Sequence, residues 1–428
     1  MKRGKLSVKA LVWRTETSDP GKGPVGQMKN SRLSGIQDLT PNEEDIKVLR
    51  RVLKRSTVLD PNCTGGMAGA LQSHLKRMIA GQNEAIDQIV NMYQVYLAGL
   101  NPVGRPVGNL LFLGPTGSGK TRIVEATAEV LLKNPKAIIK IDCSEFQHSH
   151  EIAKLIGSPP GYLGHRETHP LFSQEVLNQN HTEDCRLSFV LFDEIEKASD
   201  SLWNLLLGIL DKATLTLGDN RRVDFSQTLI FMTSNLGAAE MEKLTHSRLG
   251  FAPQKEVADP NHSSRLERTG IAAARKKFTP EFMNRLDKVV VFQPLKEEHL
   301  RKILDLELQQ IQQRIFSASA GCPFIFSITA ALKQHLLEEG TDDRYGARHL
   351  KRALERLLVQ PISNLIATDQ VRAGDWIRVD FQQRSLTFQR EAEGIPMRTM
   401  AAIVSPENNF EETHLCRIIS DHPSAVSA

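Results

Sequence analysis

The sequence predicts an α/β fold in which a parallel sheet flanked by helices is followed by a smaller, mostly helical domain with a short C-terminal β element. Three observations carry that prediction. From about Asn109 onward, strand-sized apolar runs alternate with helical segments, the pattern of a parallel sheet with right-handed crossovers. A glycine-rich loop stands between the first of these runs and a helical stretch. From Lys296 to about Ala367 the periodicity is helical, and two short strand-like runs, DWIRVDF and SLTFQRE, follow it.

Taken in order, the elements fill a chain of 428 residues, too long for one ordinary core and suited to two folded domains with tails. Residues 1 to about 40 lack periodicity, carry Gly, Pro, Ser and Lys, and read as disordered. Pro41-Asn42-Glu43-Glu44 opens a helix whose apolar face is Ile46, Leu49 and Leu53. Cys63-Thr64-Gly65-Gly66 breaks it, and Leu71 to Leu100 reads as helical with an interruption near Gly81. The strand NLLFL, the glycine loop and a helix from Arg122 to Leu132 come next. Strand AIIKID, a helix, strand SFVLFDE, another helix and strand TLIFMTSN complete the large domain, which Pro294 ends. The expected division is a tail and linker helix over 1–65, a large domain over 66–295, a small domain over 296–393 and a weakly structured tail over 394–428.

Hydrophobic residues make up 40% and charged residues 24%, the balance of a soluble globular protein. No apolar run approaches the roughly 18 residues that a membrane span needs. The basic start MKRGKLSVKALVWR has too short an apolar stretch for a secretory signal, and organelle targeting is a secondary reading of it. The five cysteines, at 63, 143, 185, 322 and 416, are odd in number and form no CxxC. That supports neither a disulfide framework nor a zinc site and points to a reducing cytoplasm. The net charge of +4 comes largely from the first 33 residues, with eight Lys or Arg against two Asp or Glu. A solvated basic tail explains it more simply than a nucleic-acid or membrane arm.

Gly114-Pro115-Thr116-Gly117-Ser118-Gly119-Lys120-Thr121 matches G-x-x-x-x-G-K-[ST], preceded by a strand and followed by a helix as that motif requires. Its glycines let backbone N–H groups turn inward around phosphates. The following helix points its positive N-terminus at the same charge. Lys120 can reach the β- and γ-phosphates of ATP, and Thr121 can ligate Mg²⁺. Phe189-Val190-Leu191-Phe192-Asp193-Glu194 is an apolar strand ending in two acids. Asp193 would hold Mg²⁺ through water and Glu194 would polarise the attacking water. Such acids can also merely cap the next helix, but the glycine loop about 70 residues earlier favours the catalytic reading. Asn235, ending the strand that begins at Thr228, would orient the lytic water; read without that context it is a turn residue.

These strings together resemble the AAA+ superfamily, within it the Clp family of protein unfoldases and disaggregases, and most of all the second ATPase module of the ClpA, ClpB and ClpC proteins. The resemblance covers about residues 70 to 392, and it runs in family order through IAGQNEAI (79–86), GRPVGNLLFLGPTGSGKT, KLIGSPPGYLG (154–164), LFDEIEKAS, VDFSQTLIFMTSNLG, FTPEFMNRLD and RYGARHL. It implies a P-loop AAA+ large domain and a helical lid. Ile79 then falls in the segment that cradles adenine. Arg285 matches the arginine finger, which would reach the ATP of a neighbouring subunit. Arg348 matches the second sensor, contacting the γ-phosphate from the small domain. A lone arginine is otherwise better read as a surface ion pair. Tyr162 and Leu163 match the first pore loop, whose aromatic grips extended polypeptide; a buried turn tyrosine is the plainer alternative. Leu249-Gly250-Phe251 is similar to the tripeptide by which ClpA, ClpC and ClpX proteins dock on the ClpP peptidase, and packing of a loop end on its own domain explains it equally well.

The chain departs from the family pattern in three places. Ala80 stands where a bulky residue usually precedes the glycine, HRETHP follows the pore loop in place of an acidic, glycine-rich stretch, and His181 to Arg186 is a small extension. The family's first module and N-terminal domain have no counterpart, since about 70 residues precede the match. The expectation is therefore a hexameric ring that hydrolyses ATP with Mg²⁺, threads unfolded protein through its pore and feeds either refolding or a ClpP-like peptidase, without membrane or nucleic-acid partners. The rivals are an ATP-regulated scaffold that does not thread, and a nucleic-acid motor, for which no basic pore or helix-turn-helix appendage is found.

Overall fold

The computed structural model describes residues 60–158, 170–246, 262–317, 322–341 and 346–403. Contacts divide the chain into residues 1–63 and 64–428, and every element named here lies in the second unit. The helix expected after Pro41 lies outside the described residues.

The chain enters through helices α1 (Gly66–Met78) and α2 (Asn83–Leu97), separated where Gly81 takes a left-handed φ of 75°. Seven strands follow in the first part: β1 (Gly108–Leu113), β2 (Ile139–Asp142), β3 (Ser188–Asp193), β4 (Thr214–Thr216), β5 (Arg222–Asp224), β6 (Thr228–Ser234) and β7 (Lys288–Val291). Five of them form one sheet in the order β2-β3-β6-β1-β7, all neighbours parallel, while β4 and β5 pair as a separate antiparallel hairpin. Helices α3 (Lys120–Leu132), α4 (Asp200–Lys212) and α5 (His262–Lys277) belong to the same part.

The central strands are apolar along their whole length because both faces are covered, as parallel sheets require. Successive residues feed opposite cores. Leu111, Leu113, Val190, Phe192, Ile230 and Met232 point to the face packed by α4 and α5. Leu110, Phe112, Phe189, Leu191, Leu229 and Phe231 point to the face packed by α1, α2 and α3. On the second face, Phe112 lies 5.8 Å from Phe231 and 5.1 Å from Phe292, ring centre to ring centre.

The second part has its own core. It holds α6 (Glu297–Ser317), α7 (Ala330–Gly340) and α8 (Ala347–Leu354). A three-stranded sheet, ordered β10-β9-β8, joins β8 (Ile325–Ile328), β9 (Trp376–Gln382) and β10 (Ser385–Ala392). The two last strands coincide with the expected runs. Strand β8 does not, because residues 296 to 367 read as helical throughout. Phe324 to Ile328 is a buried run of aromatic and β-branched residues broken only by Ser327, and a run that short carries no period that separates strand from helix. Helix α8 continues through a wide turn at Glu355–Val359 into a further helix at Gln360–Ala367. Pro361 has no N–H for the carbonyl of Leu357 and crowds it. The turn opens to fit, so that the Gln360 N–H bonds Glu355 O five residues back. A short helix at Met397–Ile403 extends order past the expected end of the small domain. Among the described residues no helix is long and apolar enough to cross a membrane.

Because Phe112 is fully buried in the aromatic cluster, Phe112→Ala should cost about 3–5 kcal/mol. A lower midpoint in urea unfolding followed by tryptophan fluorescence checks this; an unchanged midpoint would remove the cluster from the core's stability.

Candidate active site

Parallel registry brings four strand ends to one edge of the sheet. Leu113 of β1 sits beside Ser234 of β6, Phe192 of β3 beside Met232 of β6, and Asp142 of β2 beside Asp193 of β3. The glycine loop, the two acids and Asn235 therefore emerge together at the carboxyl edge, where ligands bind in open α/β sheets.

The loop depends on its glycines. Gly114 has φ 144°, and a Cβ there would lie 2.8 Å from the carbonyl oxygen of Phe292. Gly119 has φ 99° and starts α3, and a Cβ on it would face only open space. The Lys120 ammonium, on a side chain buried in the first turn of α3, donates to Gly114 O at 2.8 Å, Pro115 O at 2.9 Å and Asn235 Oδ1 at 3.0 Å. Burial lowers its pKa to about 8, against the pull of Asp193, Glu196 and Glu194; Arg348 pushes in the same direction as burial.

Asn235 joins the lysine to the acids. Its Nδ2 donates to Glu194 Oε1 at 3.4 Å, and its backbone N–H donates to Glu196 Oε1 at 3.1 Å. Glu194 has a left-handed φ of 56°, an uncommon conformation for a residue with a side chain that concentrates at functional sites. Its N–H donates to Thr233 Oγ1 at 3.2 Å, and its Oε2 meets Lys197 Nζ at 2.5 Å. The Thr233 hydroxyl in turn donates to Asp193 Oδ1, so one threonine orders both acids. Asp193 Oδ2 pairs with Lys140 Nζ at 3.0 Å.

Before this edge lies a cavity of about 310 Å³. Residues 116–122, Asp193, Glu194, Thr233 and Asn235 are among its polar lining; Met78, Ile79, Ala80, Leu295, Ile303 and Leu306 are its apolar lining. Arg348, in the first turn of α8, also lines it. Helix α8 approaches the loop closely: the Ala347 N–H donates to Gly117 O at 3.3 Å, and a Cβ on Gly346 would lie 3.0 Å from that oxygen.

The structure thus brings together Ile79, the loop from Thr116 to Thr121, Asp193, Glu194, Asn235 and Arg348, with Gly114 and Pro115 turned outward to hold the lysine. Arg285 does not join them within the chain. Its guanidinium donates to Leu207 O and to Glu281 Oε1, both at 2.9 Å, and its side chain is 22% exposed. Tyr162, Leu163, Leu249, Gly250 and Phe251 lie outside the described residues. Sequence reasoning missed Thr233, Lys140 and Lys197. Thr233 stood within the TSN string, Lys197 within LFDEIEKAS, and Lys140 within the strand AIIKID.

The sequence pattern of the AAA domain (Cdc48 subfamily) matches residues 105–289, and that of the C-terminal, D2-small domain of ClpB protein matches residues 295–379. The chain belongs to the Clp family of AAA+ proteins. Chaperone protein ClpB 1 of Synechocystis sp. is 35% identical over 323 residues, 76% of this chain and 33% of the relative. The ATP-dependent Clp protease ATP-binding subunit ClpC of Staphylococcus saprophyticus is 34% identical over 318 residues, 74% of this chain and 37% of the relative. The fold also matches the extended conformation of the S. cerevisiae Hsp104:casein complex, with TM-score 0.64 and 26% identity over 77% of this chain and 53% of that one. The chain spans about a third of the length of the curated relatives it matches. The AAA domain match implies nucleotide binding, and the cavity is the candidate site for it.

The depressed Lys120 pKa has a definite sign. Without nucleotide the lysine loses its proton as pH rises through about 8; bound phosphate favours the charged form and raises that value. Binding should then take up a proton above pH 8 and weaken as pH rises, with little dependence through Lys120 below pH 7. Calorimetric titration of ADP in buffers of different ionisation heat checks this; proton release above pH 8 would contradict it.

Proposed function

We propose that this chain is an ATP-dependent protein unfoldase or chaperone of Clp type, working as a homo-oligomeric, hexameric ring that threads unfolded polypeptide. The observation that carries the proposal is the hydrogen-bonded chain from buried Lys120 through Asn235 to Glu194 in the polar lining of the cavity.

In this reading the glycine loop and Lys120 hold the β- and γ-phosphates, while Ile79 and its apolar neighbours take the adenine. The oxygen donors Thr121 and Asp193 fit a hard cation, and Asp193 already has a cationic group, Lys140, 3.0 Å from its carboxylate. Bound there, Mg²⁺ supplies charge neutralisation across the phosphates. Glu194 takes the proton of the attacking water, and Asn235, with its Nδ2 on that carboxylate, keeps the base oriented. Arg348 adds positive charge from the small part as charge moves onto the departing phosphate. Arg285, held by Leu207 O of α4 and by Glu281 and away from its own cavity, acts on a neighbouring subunit's nucleotide.

Tyr162 and Leu163 grip substrate in the pore, and Leu249-Gly250-Phe251 docks a ClpP-like peptidase. The proposed parts are 66–295 for the ATPase, 296–393 for the lid, and tails over 1–65 and 394–428. A cytoplasmic setting suits Cys143, Cys185 and Cys322, which form no disulfide.

Glu194→Gln should retain ATP binding and lose turnover by about 10²–10⁴-fold, the usual contribution of a general base. Mixed with an Arg285→Ala chain in co-assembled rings, it should regain part of the ATPase rate, because each chain supplies what the other lacks. No recovery at any ratio would place the arginine's action within one subunit. Casein should stimulate the wild-type ATPase, and Tyr162→Ala should abolish that stimulation. Equal stimulation in both proteins would remove Tyr162 from the grip, and none in either would favour an ATP-regulated scaffold.

A further inference from the structure

Gln82 occupies the N-cap position of α2, yet its side chain makes no bond to its own helix. The amide is buried, with 4% of the residue exposed, and it is used elsewhere. Its Nε2 donates to Ser118 O of the glycine loop at 3.2 Å and to Gln293 O at 3.0 Å. Its Oε1 accepts the Gln293 N–H at 3.2 Å. Gln293 lies just past β7, where the chain crosses toward α6. One side chain therefore ties the phosphate loop to the crossing between the two parts.

The segment carrying Gln82 is gripped from the other side by α6. Gly81 passes so close to that helix that a Cβ would lie 2.5 Å from the His299 ring. Lys302 Nζ donates to Lys76 O at 2.5 Å and to Ile79 O at 3.3 Å. Residues 79–82 thus form a bridge with α6 on one side and the glycine loop on the other, and Ile79 and Ala80 line the nucleotide cavity.

The bond to Ser118 O has a geometric consequence. In a trans peptide the C=O and N–H point in opposite directions, and the structure has no cis bond among the described residues. Holding the Ser118 carbonyl toward Gln82 turns the Gly119 N–H the other way, and Gly119 lines the cavity. Glycine flanks Ser118 on both sides, with φ 77° at Gly117 and 99° at Gly119. Such a loop has little side-chain packing to fix its peptide planes, so an outside donor sets them.

We infer that Gln82 is a positioning residue for nucleotide: it aims the Gly119 N–H at the phosphates and makes that aim depend on how α6 sits against the 79–82 bridge. It touches no nucleotide itself, and the inference rests on the nucleotide reading of the cavity. Gln82→Met keeps length and apolar volume but can hold neither Ser118 O nor Gln293. Gln82→Glu keeps an acceptor for the Gln293 N–H and loses the donors.

The test is ADP affinity by calorimetry on the full chain, with melting of the nucleotide-free protein measured alongside. Both variants should melt lower, since a buried carbonyl is left without its donor, and the folded protein should in addition bind ADP roughly tenfold more weakly, since the Gly119 N–H is no longer held toward the phosphates. Wild-type affinity in both variants would overturn the inference. So would lower melting with unchanged affinity of the folded protein, which assigns Gln82 to stability alone. Should the variants not fold, hydrogen exchange on the wild type decides. ADP should slow exchange at the Gly119 and Gln293 amides together, and protection of Gly119 without Gln293 would overturn the coupling. A wild type that binds no ADP would sink the functional reading instead.

Discussion

The buried ammonium of Lys120 is the constraint around which the site is arranged. An unpaired charge taken out of water costs several kcal/mol unless it is well solvated by the protein. Here two loop carbonyls and the Asn235 side chain supply that solvation. Each demands a specific backbone. Gly114 turns its carbonyl to the lysine only because it passes against Phe292 without a side chain. Asn235 arrives because β6 runs parallel to β1 in a register that sets Ser234 beside Leu113. Central strands buried on both faces make that register costly to shift. A one-residue slip would exchange the two cores, moving Phe112 and Phe231 onto the face that holds Leu111 and Ile230.

Much of this was legible in the sequence, and for one reason. The glycine loop, the acidic strand end and the TSN strand end are local patterns whose chemistry needs those residue types at those spacings. Their meeting then follows from the parallel sheet. Strand β8 was not legible, because four residues carry too little period. Nor were the groups that hold the acids in place. Thr233 serves both Asp193 and Glu194, and nothing in its neighbourhood separates it from an ordinary strand threonine. Gln82 reaches Gln293 across 211 positions, a pairing that only the fold creates. Arg285 is the converse case. Its string is recognisable, but the chain holds it away from its own cavity, as the proposed action on a neighbouring subunit's nucleotide requires.

The two parts of the chain meet at the loop rather than merely near it. Two successive loop carbonyls are held from outside, Gly117 O by the N-terminal turn of α8 and Ser118 O by Gln82. Gly346 allows the first contact, since a side chain there would press on Gly117. A rotation of the small part cannot leave the loop untouched, because α8 contacts it directly and α6 reaches it through the 79–82 bridge. Direct contacts of this kind are a route by which a small change at a ligand becomes a domain motion.

The charges around the cavity divide by how tightly they are held. Asp193 and Glu194 are each paired with a lysine, and those lysines are 52% and 48% exposed. Exposed pairs contribute little, about 0–1 kcal/mol, so either acid exchanges its partner at small cost. Lys120 has no such freedom: it is buried and held by uncharged oxygens. In the proposed function the fixed cation therefore sits where phosphate is received, and the labile pairs sit on the acids that would exchange partners in each cycle. This division rests on strand position. Lys140 projects from a four-residue strand with alternating exposure at the sheet's edge, and Lys197 from the turn after β3. Lys120, by contrast, opens a helix packed on the sheet's centre. The same topology that gathers the residues also sets which of them can move.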